Sequence, residues 1–443
     1  MNDFEKMSRD KKRRRETMMK KMSLLLLSIA MTISLAACGS KTDTGNSSAG
    51  TDGQNEAAAT EEFTPEPGAE LKWWTYTDDQ KVFADHAVKE FETKYSIKVK
   101  VENVAYWDSV ARMSTDGPAG TGADVFGLQN EALSEAVKAG LVLPNDYYEE
   151  DIKTTNSKES IAAVTLDGML YGYPWNVYSL SLYYNKELVK DAKLETWDDI
   201  IAFSKSFNDV QNNQFGFLFD GKVSFFDVAF MTGYGGYIFG NGETDPADIG
   251  LNNEGSIKGM EFFRSLKEII PINLSDVTGD VKSGLWEQGK VAINMDGSWN
   301  IGKFGELPFE VGVLPMPKLP GGEEAKPLAG YTSYYVSSYS KYPNAAKIFA
   351  HFITTKEMQI KNNELTGVIP VANGIKSDIR KDEITQGFFK QIQNSHRVPN
   401  LYETKFVWQN LDPAVDAIWN GADIKTTLDK AAAKIKSSIE NQK

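Results

Sequence analysis

The chain has 443 residues, a net charge of −13 at pH 7, and an aromatic-rich composition with 9 Trp, 18 Tyr and 23 Phe. So acidic a chain lacks the cationic footprint that binding to nucleic acid or anionic lipid requires, and we exclude those classes. A single cysteine excludes a disulfide framework, and 3 scattered histidines without a cysteine partner argue against a metal site. We therefore expect neither a metal nor another cofactor.

Residues 1–37 have the pattern of a secretory leader. Basic side chains cluster between residues 11 and 21, and an uncharged run, Met22–Ala37, follows. This run is short for a bilayer span and ends in small residues, which is typical of a signal peptide. The alternative is a membrane-anchor helix. Because residues 1–37 carry nine basic and four acidic side chains, their removal changes the net charge from −13 to −18.

A possible anchoring residue follows the leader directly. The sequence L-A-A-C-G at residues 35–39 contains the only cysteine and resembles the lipobox of bacterial lipoproteins. The resemblance implies cleavage before Cys38 and attachment of diacylglycerol to its sulfur. Phe63 is the one large apolar side chain in residues 39–68, which is too little to form a core. We predict that residues 38–68 are the lipidated cysteine and a flexible tether.

Beyond the tether, strand and helix patterns alternate. Apolar runs or alternation predict strands at 71–76, 97–101 and 124–128, with helices after the first and third. Strands joined through helices by short connections indicate parallel pairing, so this part should be an α/β lobe.

The remaining elements extend to the end of the chain, and about 375 residues favour two lobes over one core. Thr196 should cap a helix with Asp199 three residues later. Strands are predicted at 171–174, 181–186, 291–295 and 334–336, and helices at 224–231, 254–269, 281–289, from 343 onward and at the C-terminus.

Several sequence blocks carry a family resemblance. L-K-W-W-T-Y, Y-N-K-E-L, T-W-D-D-I and G-K-V-A-I-N-M-D-G-S-W occur in this order. From about residue 70 to the end, the chain resembles sugar-binding extracellular solute-binding proteins, above all the maltose/maltodextrin-binding proteins. The resemblance implies an α/β, two-lobed periplasmic-binding-protein fold (type II) with crossing hinge strands. It places the N-lobe at 69–179 and 331–370, and the C-lobe at 180–330 and 371–443.

The same resemblance implies a transport function. The protein would capture an oligosaccharide, most directly maltose or malto-oligosaccharides, between its lobes and deliver it to the permease subunits of an ABC importer. It would be a monomer, lipid-anchored at the extracytoplasmic face of the membrane of a Gram-positive cell. The alternatives are another glucan, a xylo- or fructo-oligosaccharide, or a non-sugar ligand such as a polyamine or a metal chelate.

A sugar site needs carboxylates or amides for hydroxyl groups and aromatic rings for the C–H faces. Carried over from the family, the site comprises Asp78, Asp79, Asn130, Glu131, Trp175, Tyr178, Phe225, Trp299 and Trp408. Asp79 replaces a basic residue of the family, Tyr178 replaces a ligand-binding Glu, and Phe225 replaces a Tyr.

Each of these residues also has a structural interpretation. Asp78 and Asp79 could cap the following helix, and Glu131 could be a first-turn helix acid. The two tryptophans, Trp299 and Trp408, could instead pack in the core.

Paired carboxylates beside aromatic side chains also occur in glycoside hydrolases. The sequence contains no H-E-x-x-H motif, no G-x-S-x-G motif and no phosphate-binding glycine loop. We therefore predict a binding protein and not an enzyme.

Overall fold

The computed structural model describes residues 64–322 and 324–442, without the side chains of Thr77, Asp79 and Ser275. The predicted signal peptide, Cys38 and the first part of the tether lie outside these ranges. Two large apolar cores are present, each built around its own β-sheet. This arrangement confirms the predicted two-lobed α/β fold. None of the helices in the described ranges has the length and apolarity needed to cross a membrane.

Apart from β9, which makes isolated bridges, the strands form one sheet per lobe and a separate hairpin of β4 and β5. Their bounds are β1 Glu70–Thr75, β2 Lys98–Asn103, β3 Val125–Gln129, β4 Thr165–Leu166, β5 Met169–Leu170, β6 Tyr173–Tyr178, β7 Leu180–Asn185, β8 Phe215–Leu218, β9 Asp245–Ile249, β10 Val291–Gly297, β11 Val311–Leu314, β12 Leu328–Val336, β13 Ile369–Pro370 and β14 His396–Arg397.

The N-lobe sheet has the order β13-β6-β12-β3-β1-β2, and β14 pairs with β12. Strand β1 pairs in parallel with β2 and β3, as predicted from the strand–helix alternation. Strand β12 is antiparallel to β3 and to β6. It begins at Leu328, well before the predicted start at 334, because its first half is also buried between neighbouring strands.

The C-lobe sheet has the order β11-β7-β10-β8. Strand β7 is antiparallel to β10 and β11, whereas β10 and β8 are parallel. All seven residues of β10 are buried. Its carboxyl end, with Asp296 and Gly297, lies at the inner edge of the lobe.

The helices cover the two sheets. Their bounds are α1 Thr77–Tyr95, α2 Ser109–Asp116, α3 Leu133–Lys138, α4 Glu149–Thr155, α5 Lys158–Ala163, α6 Lys186–Val189, α7 Trp197–Phe207, α8 Ser224–Thr232, α9 Gly240–Glu243, α10 Glu254–Ser265, α11 Gly279–Glu287, α12 Ile301–Phe304, α13 Pro343–Thr354, α14 Lys356–Thr366, α15 Glu383–Ile392, α16 Thr404–Trp419 and α17 Ile424–Glu440. The predicted cap is present at α7, where Thr196 and Asp199 form a reciprocal capping box.

The first crossing of the chain between the two sheets consists of one buried residue. Strand β6 ends at Tyr178 and β7 begins at Leu180, so Ser179 alone separates them. The Ser179 hydroxyl donates to the carbonyl of Leu328, where β12 begins (2.9 Å). The Ser298 N–H donates to the Ser179 carbonyl (3.0 Å). These bonds tie the crossing strands and the end of β10 together beside the space between the lobes.

The last part of the predicted tether is ordered against the N-lobe. Glu66 accepts hydrogen bonds from the backbone N–H groups of Asn344 (2.8 Å) and Ala345 (3.0 Å). These are free N–H groups of the first turn of α13, and a carboxylate there satisfies them and interacts favourably with the helix dipole. The prediction that the tether extends to residue 68 was therefore wrong.

We predict that Glu66→Ala lowers the free energy of unfolding by about 1 kcal/mol, since it removes this cap. Urea unfolding of both proteins measures the difference. Glu90→Ala, at an exposed position of α1, is the matched control and should leave the stability unchanged. Equal stability of the Glu66 variant and the wild type would show that residue 66 does not anchor the chain.

Candidate functional site

A cleft with a volume of about 550 Å³ lies between the lobes and is lined from both sides. Residues after β1, β2 and β3 and along β6 form its N-lobe wall. Residues from α8, α11 and the end of β10 form its C-lobe wall. The volume lies within the range of small-ligand sites, about 300–1,000 Å³.

Three aromatic rings of the N-lobe wall lie after β1 and β2. Tyr76 follows β1, and Tyr106 and Trp107 form the turn after β2. The Tyr76 ring lies 6.3 Å from the Tyr106 ring and 5.4 Å from the Trp107 ring. Trp107 is 62% exposed. None of these three residues was predicted from the sequence. An exposed tryptophan beside a cleft indicates a binding site, but this signal is available only once the fold is known.

A second group of rings lies where the end of β6 meets the C-lobe wall. Tyr178 ends β6, and Trp299 lies in the turn after β10. Their ring centroids are 6.0 Å apart, and Phe225 lies 6.2 Å from Tyr178 and 6.4 Å from Trp299. Tyr178 and Trp299 line the cleft, whereas Phe225 packs against both rings without lining it. The structure thus brings these three predicted residues together.

Two glycines allow these rings to lie close to the backbone. A Cβ atom on Gly297 would come within 2.2 Å of the Trp299 ring, and one on Gly330 would come within 2.2 Å of the Tyr178 ring. A larger residue at either position would displace the ring into the cleft. The glycine in the D-G-S-W block therefore positions Trp299.

Two buried polar atoms of the N-lobe wall have no hydrogen-bond partner among the described residues. They are Oε1 of Gln80 on α1 and Nε1 of Trp175 on β6. Gln80 is 6% exposed and Trp175 is 1% exposed, and both line the cleft. A buried polar atom without a partner is costly, so these two suit a ligand that both donates and accepts hydrogen bonds.

The hydroxyl of Tyr178 is also available to a ligand. Gln129 Nε2 donates to it at 2.9 Å. Burial, with a smaller contribution from the charge of Glu131, raises the pKa of Tyr178 well above its usual value. The phenol therefore stays protonated and retains a proton to donate.

The C-lobe wall contains a buried ion pair. Lys282 on α11 lies 2.6 Å from Asp296 at the end of β10, and their side chains are 2% and 4% exposed. Asp220 lies beside them and is half-buried. Burial, counteracted in part by Lys282, raises the pKa of Asp220. This charged group was not predicted from the sequence, because Lys282 and Asp296 lie on different elements.

Of the predicted pair Asp78 and Asp79, Asp78 does not line the cleft. Asp78 is exposed and accepts a hydrogen bond from Nδ2 of Asn103 at 2.9 Å. Asp79 lies in the first turn of α1, and its side chain is outside the described set. The next residue, Gln80, is the one that the rotation of the helix brings to the cleft.

Asn130 is buried away from the cleft, and both ends of its amide have protein partners. Its Nδ2 donates to the carbonyl of Val398 (2.9 Å), and its Oδ1 accepts from the N–H of Tyr331 (3.0 Å). The structure therefore corrects its predicted role, since this amide holds β12 and the segment after β14 to the N-lobe.

Glu131 also lies outside the lining of the cleft. It is half-buried in the turn after β3, and its Oε2 has no partner among the described residues. Burial raises its pKa from 4.5 to about 7, and a backbone hydrogen bond opposes this shift. Such a carboxylate destabilises the fold at pH values at which it is ionised.

The raised pKa of Glu131 gives a pH-dependent prediction. The stability that protonation provides is complete below about pH 4.5 and is lost as the pH rises to about 7. Glu131→Gln should remove this loss, so the variant gains stability relative to wild type by up to about 3 kcal/mol between pH 4.5 and 8. Urea unfolding at both pH values measures it, with the exposed Glu306→Gln as control. A constant difference across the range would contradict the assignment.

Trp408 is not among the residues that line the cleft. Its half-buried ring lies on α16 and packs against the C-lobe core. In this structure Trp408 packs against the core, as the alternative interpretation stated, and takes no part in lining the cleft.

The two lobes and the aromatic cleft between them define a protein that captures a ligand by enclosing it. Residues 86–386 match the family described as bacterial extracellular solute-binding protein. A galactooligosaccharide-binding protein of Bacillus subtilis (strain 168) is 31% identical over 433 residues, which cover 96% of this chain and 98% of the relative. A maltodextrin-binding protein of the same organism is 27% identical over 439 residues, which cover 96% and 99%.

Among solved structures, MalX from Streptococcus pneumoniae in complex with maltopentaose has a TM-score of 0.77 and 26% identity, covering 83% of this chain and 100% of the other. The chain belongs to the bacterial extracellular solute-binding proteins. It is a binding protein and not an enzyme, and the family resemblance predicted from the sequence is confirmed.

Proposed function

We propose that this chain is the oligosaccharide-binding lipoprotein of a carbohydrate ABC importer, with malto-oligosaccharide as its ligand. The observation that carries the proposal is the presence of aromatic rings on both walls of the cleft, with Tyr76 and Trp107 on the N-lobe wall and Trp299 on the C-lobe wall. Sugar rings present C–H groups on their faces and hydroxyl groups on their edges. Aromatic rings on two walls can cover the faces, and polar groups between them can reach the edges.

The polar groups of the cleft support a polyhydroxyl ligand. The free Oε1 of Gln80 accepts, the free Nε1 of Trp175 donates, and the hydroxyl of Tyr178 does either. A hydroxyl group can match each of them because it is both donor and acceptor. A ligand without such groups would leave the buried atoms of Gln80 and Trp175 unpaired, at a cost of about 1–3 kcal/mol each.

The lobes and the crossing at Ser179 support a capture-and-release cycle. Each wall belongs to a lobe with its own core, and the chain passes from β6 of one sheet to β7 of the other through a single residue. Closure of the lobes would bring both groups of rings onto the ligand, and the closed form would present both lobes to the permease subunits. With a diacylglycerol on Cys38, the protein would act at the extracytoplasmic face of the membrane.

Galactooligosaccharide is the second candidate ligand, because the relative with 31% identity is named for it. The titrations that separate the candidates use maltotriose, maltopentaose, a galactosyl trisaccharide, a xylotriose and a fructosyl trisaccharide. Thermal melting is recorded with each sugar, since a ligand that binds only the folded state raises the melting temperature. At 100 times Kd the stabilisation is about 2.7 kcal/mol.

We expect malto-oligosaccharides to raise the melting temperature most. A larger rise with the galactosyl sugar would retain the importer function and replace the ligand. Failure of every sugar in the panel to raise the melting temperature would refute the proposed function.

A further inference from the structure

The C-lobe wall of the cleft carries a charged group that consists of Lys282, Asp296 and Asp220. The ammonium of Lys282 donates to Asp296 Oδ2 (2.6 Å) and to the carbonyl of Met295 (3.1 Å). The other oxygen of Asp296 accepts the N–H of Gly297 at 2.7 Å. An ammonium has three donors, and no third acceptor for it is present among the described residues. The ammonium also lies 5.3 Å from the centroid of the Phe226 ring. Lys282 therefore lines the cleft with its position fixed and with one N–H that no oxygen or nitrogen atom of the described residues accepts.

Asp220 adds an acceptor next to this donor. It lines the cleft beside the first residue of α11, where a Cβ atom on Gly279 would lie 3.5 Å from Asp220 Oδ2. The interaction with the Lys282 charge lowers the pKa of Asp220, against the larger effect of burial. Neither oxygen of Asp220 receives a side-chain hydrogen bond from the described residues. A fixed donor and an acceptor thus lie on one wall.

A gain in the free energy of folding does not explain the ion pair of Lys282 and Asp296. A buried pair repays its desolvation cost poorly compared with apolar residues of the same size. Nor does it belong to a metal site, since the described residues contain no cluster of side chains able to hold an ion. Its position in the cleft wall, next to Trp299 and Phe226, links it to the ligand.

We propose that Lys282, held by Asp296, together with Asp220 reads the configuration of neighbouring hydroxyl groups on one sugar ring and thereby selects which oligosaccharide is bound. This inference rests on the proposed function. Stacking on the aromatic rings makes this selection only weakly, because epimeric sugars both offer C–H groups on a ring face. A fixed donor and acceptor discriminate more strongly, because inverting one hydroxyl removes a charge-assisted hydrogen bond and leaves a donor or acceptor of the wall without a partner.

The test measures affinities of the full chain for a glucosyl and a galactosyl trisaccharide by calorimetric titration. Asp220→Asn keeps the shape of the side chain and removes its charge. We expect it to weaken binding of the preferred sugar at least tenfold and to reduce the ratio between the two affinities, with an unchanged or higher melting temperature. Asp276→Asn removes the same charge at an exposed position outside the cleft and should change neither affinity.

A second variant removes the ion pair without leaving one charge unpaired. In Lys282→Met/Asp296→Asn both charges are replaced together, and thermal melting verifies that it folds. We expect the same loss of discrimination between the two sugars. If wild type binds sugars and both folded variants keep its affinities and its ratio, the inference is overturned while the proposed function stands. If wild type binds no sugar, the proposed function fails, and the inference fails with it.

Discussion

Trp299→Ala should weaken oligosaccharide binding by about 10-fold to 100-fold, whereas Trp408→Ala should leave the affinity close to that of wild type. The family resemblance assigned both tryptophans to ligand stacking, but the structure separates them. Trp299 is 37% exposed and lines the cleft opposite Trp107, whereas Trp408 packs against the C-lobe core. The expected loss corresponds to about 1.4–2.8 kcal/mol, which is typical of a central aromatic residue in a binding site.

The measurement is a calorimetric titration with the sugar that raises the melting temperature most. Trp299→Phe keeps a ring at the position and should recover most of the affinity, which a loss through unfolding would not allow. Trp107→Ala tests the opposite wall and should also weaken binding, because both walls must contact the ligand. Equal losses for Trp299→Ala and Trp408→Ala would restore the sequence-based site and contradict the cleft described here.

Much of the fold could be predicted from the sequence, because it depends on local patterns. The capping box of Thr196 and Asp199, the buried strand β10 and the parallel pairing of β1 with β3 all follow from residue type and spacing. The ordered end of the tether could not be predicted. Glu66 gains its role only from α13, which lies far away in the sequence.

The candidate site was less predictable for a geometric reason. Near the start of α1, successive residues are rotated by about 100°, so Asp78 points to Asn103 and Gln80 reaches the cleft. Lys282 and Asp296 lie on different elements, and only the tertiary fold brings their charges to 2.6 Å. Residue type indicates which side chains can bind a sugar, but the orientation of each element decides which of them do.

Asp227→Asn should stabilise the protein, and its effect should grow with pH. Asp227 lies on α8 with 0% exposure, and neither of its carboxylate oxygens has a hydrogen-bond partner among the described residues. Burial, together with the charges of Asp412 and Asp220, raises the pKa of Asp227 well above its usual value. The folded protein therefore holds a proton on Asp227 that the unfolded chain releases near pH 4.

The sign of the effect follows from this difference in proton binding. The stability provided by protonated Asp227 is complete below the unfolded pKa and is lost as the pH rises toward the folded pKa. In that window it falls by about 1.4 kcal/mol per pH unit. Asparagine has nearly the same shape and cannot ionise, so the variant lacks this slope.

Urea unfolding at intervals from pH 4 to pH 8 should show a difference in the free energy of unfolding between Asp227→Asn and wild type that widens with pH. The exposed Asp198→Asn is the matched control and should show no such widening. A difference between Asp227→Asn and wild type that stays constant with pH would mean that Asp227 is ionised in the folded protein and has a compensating partner.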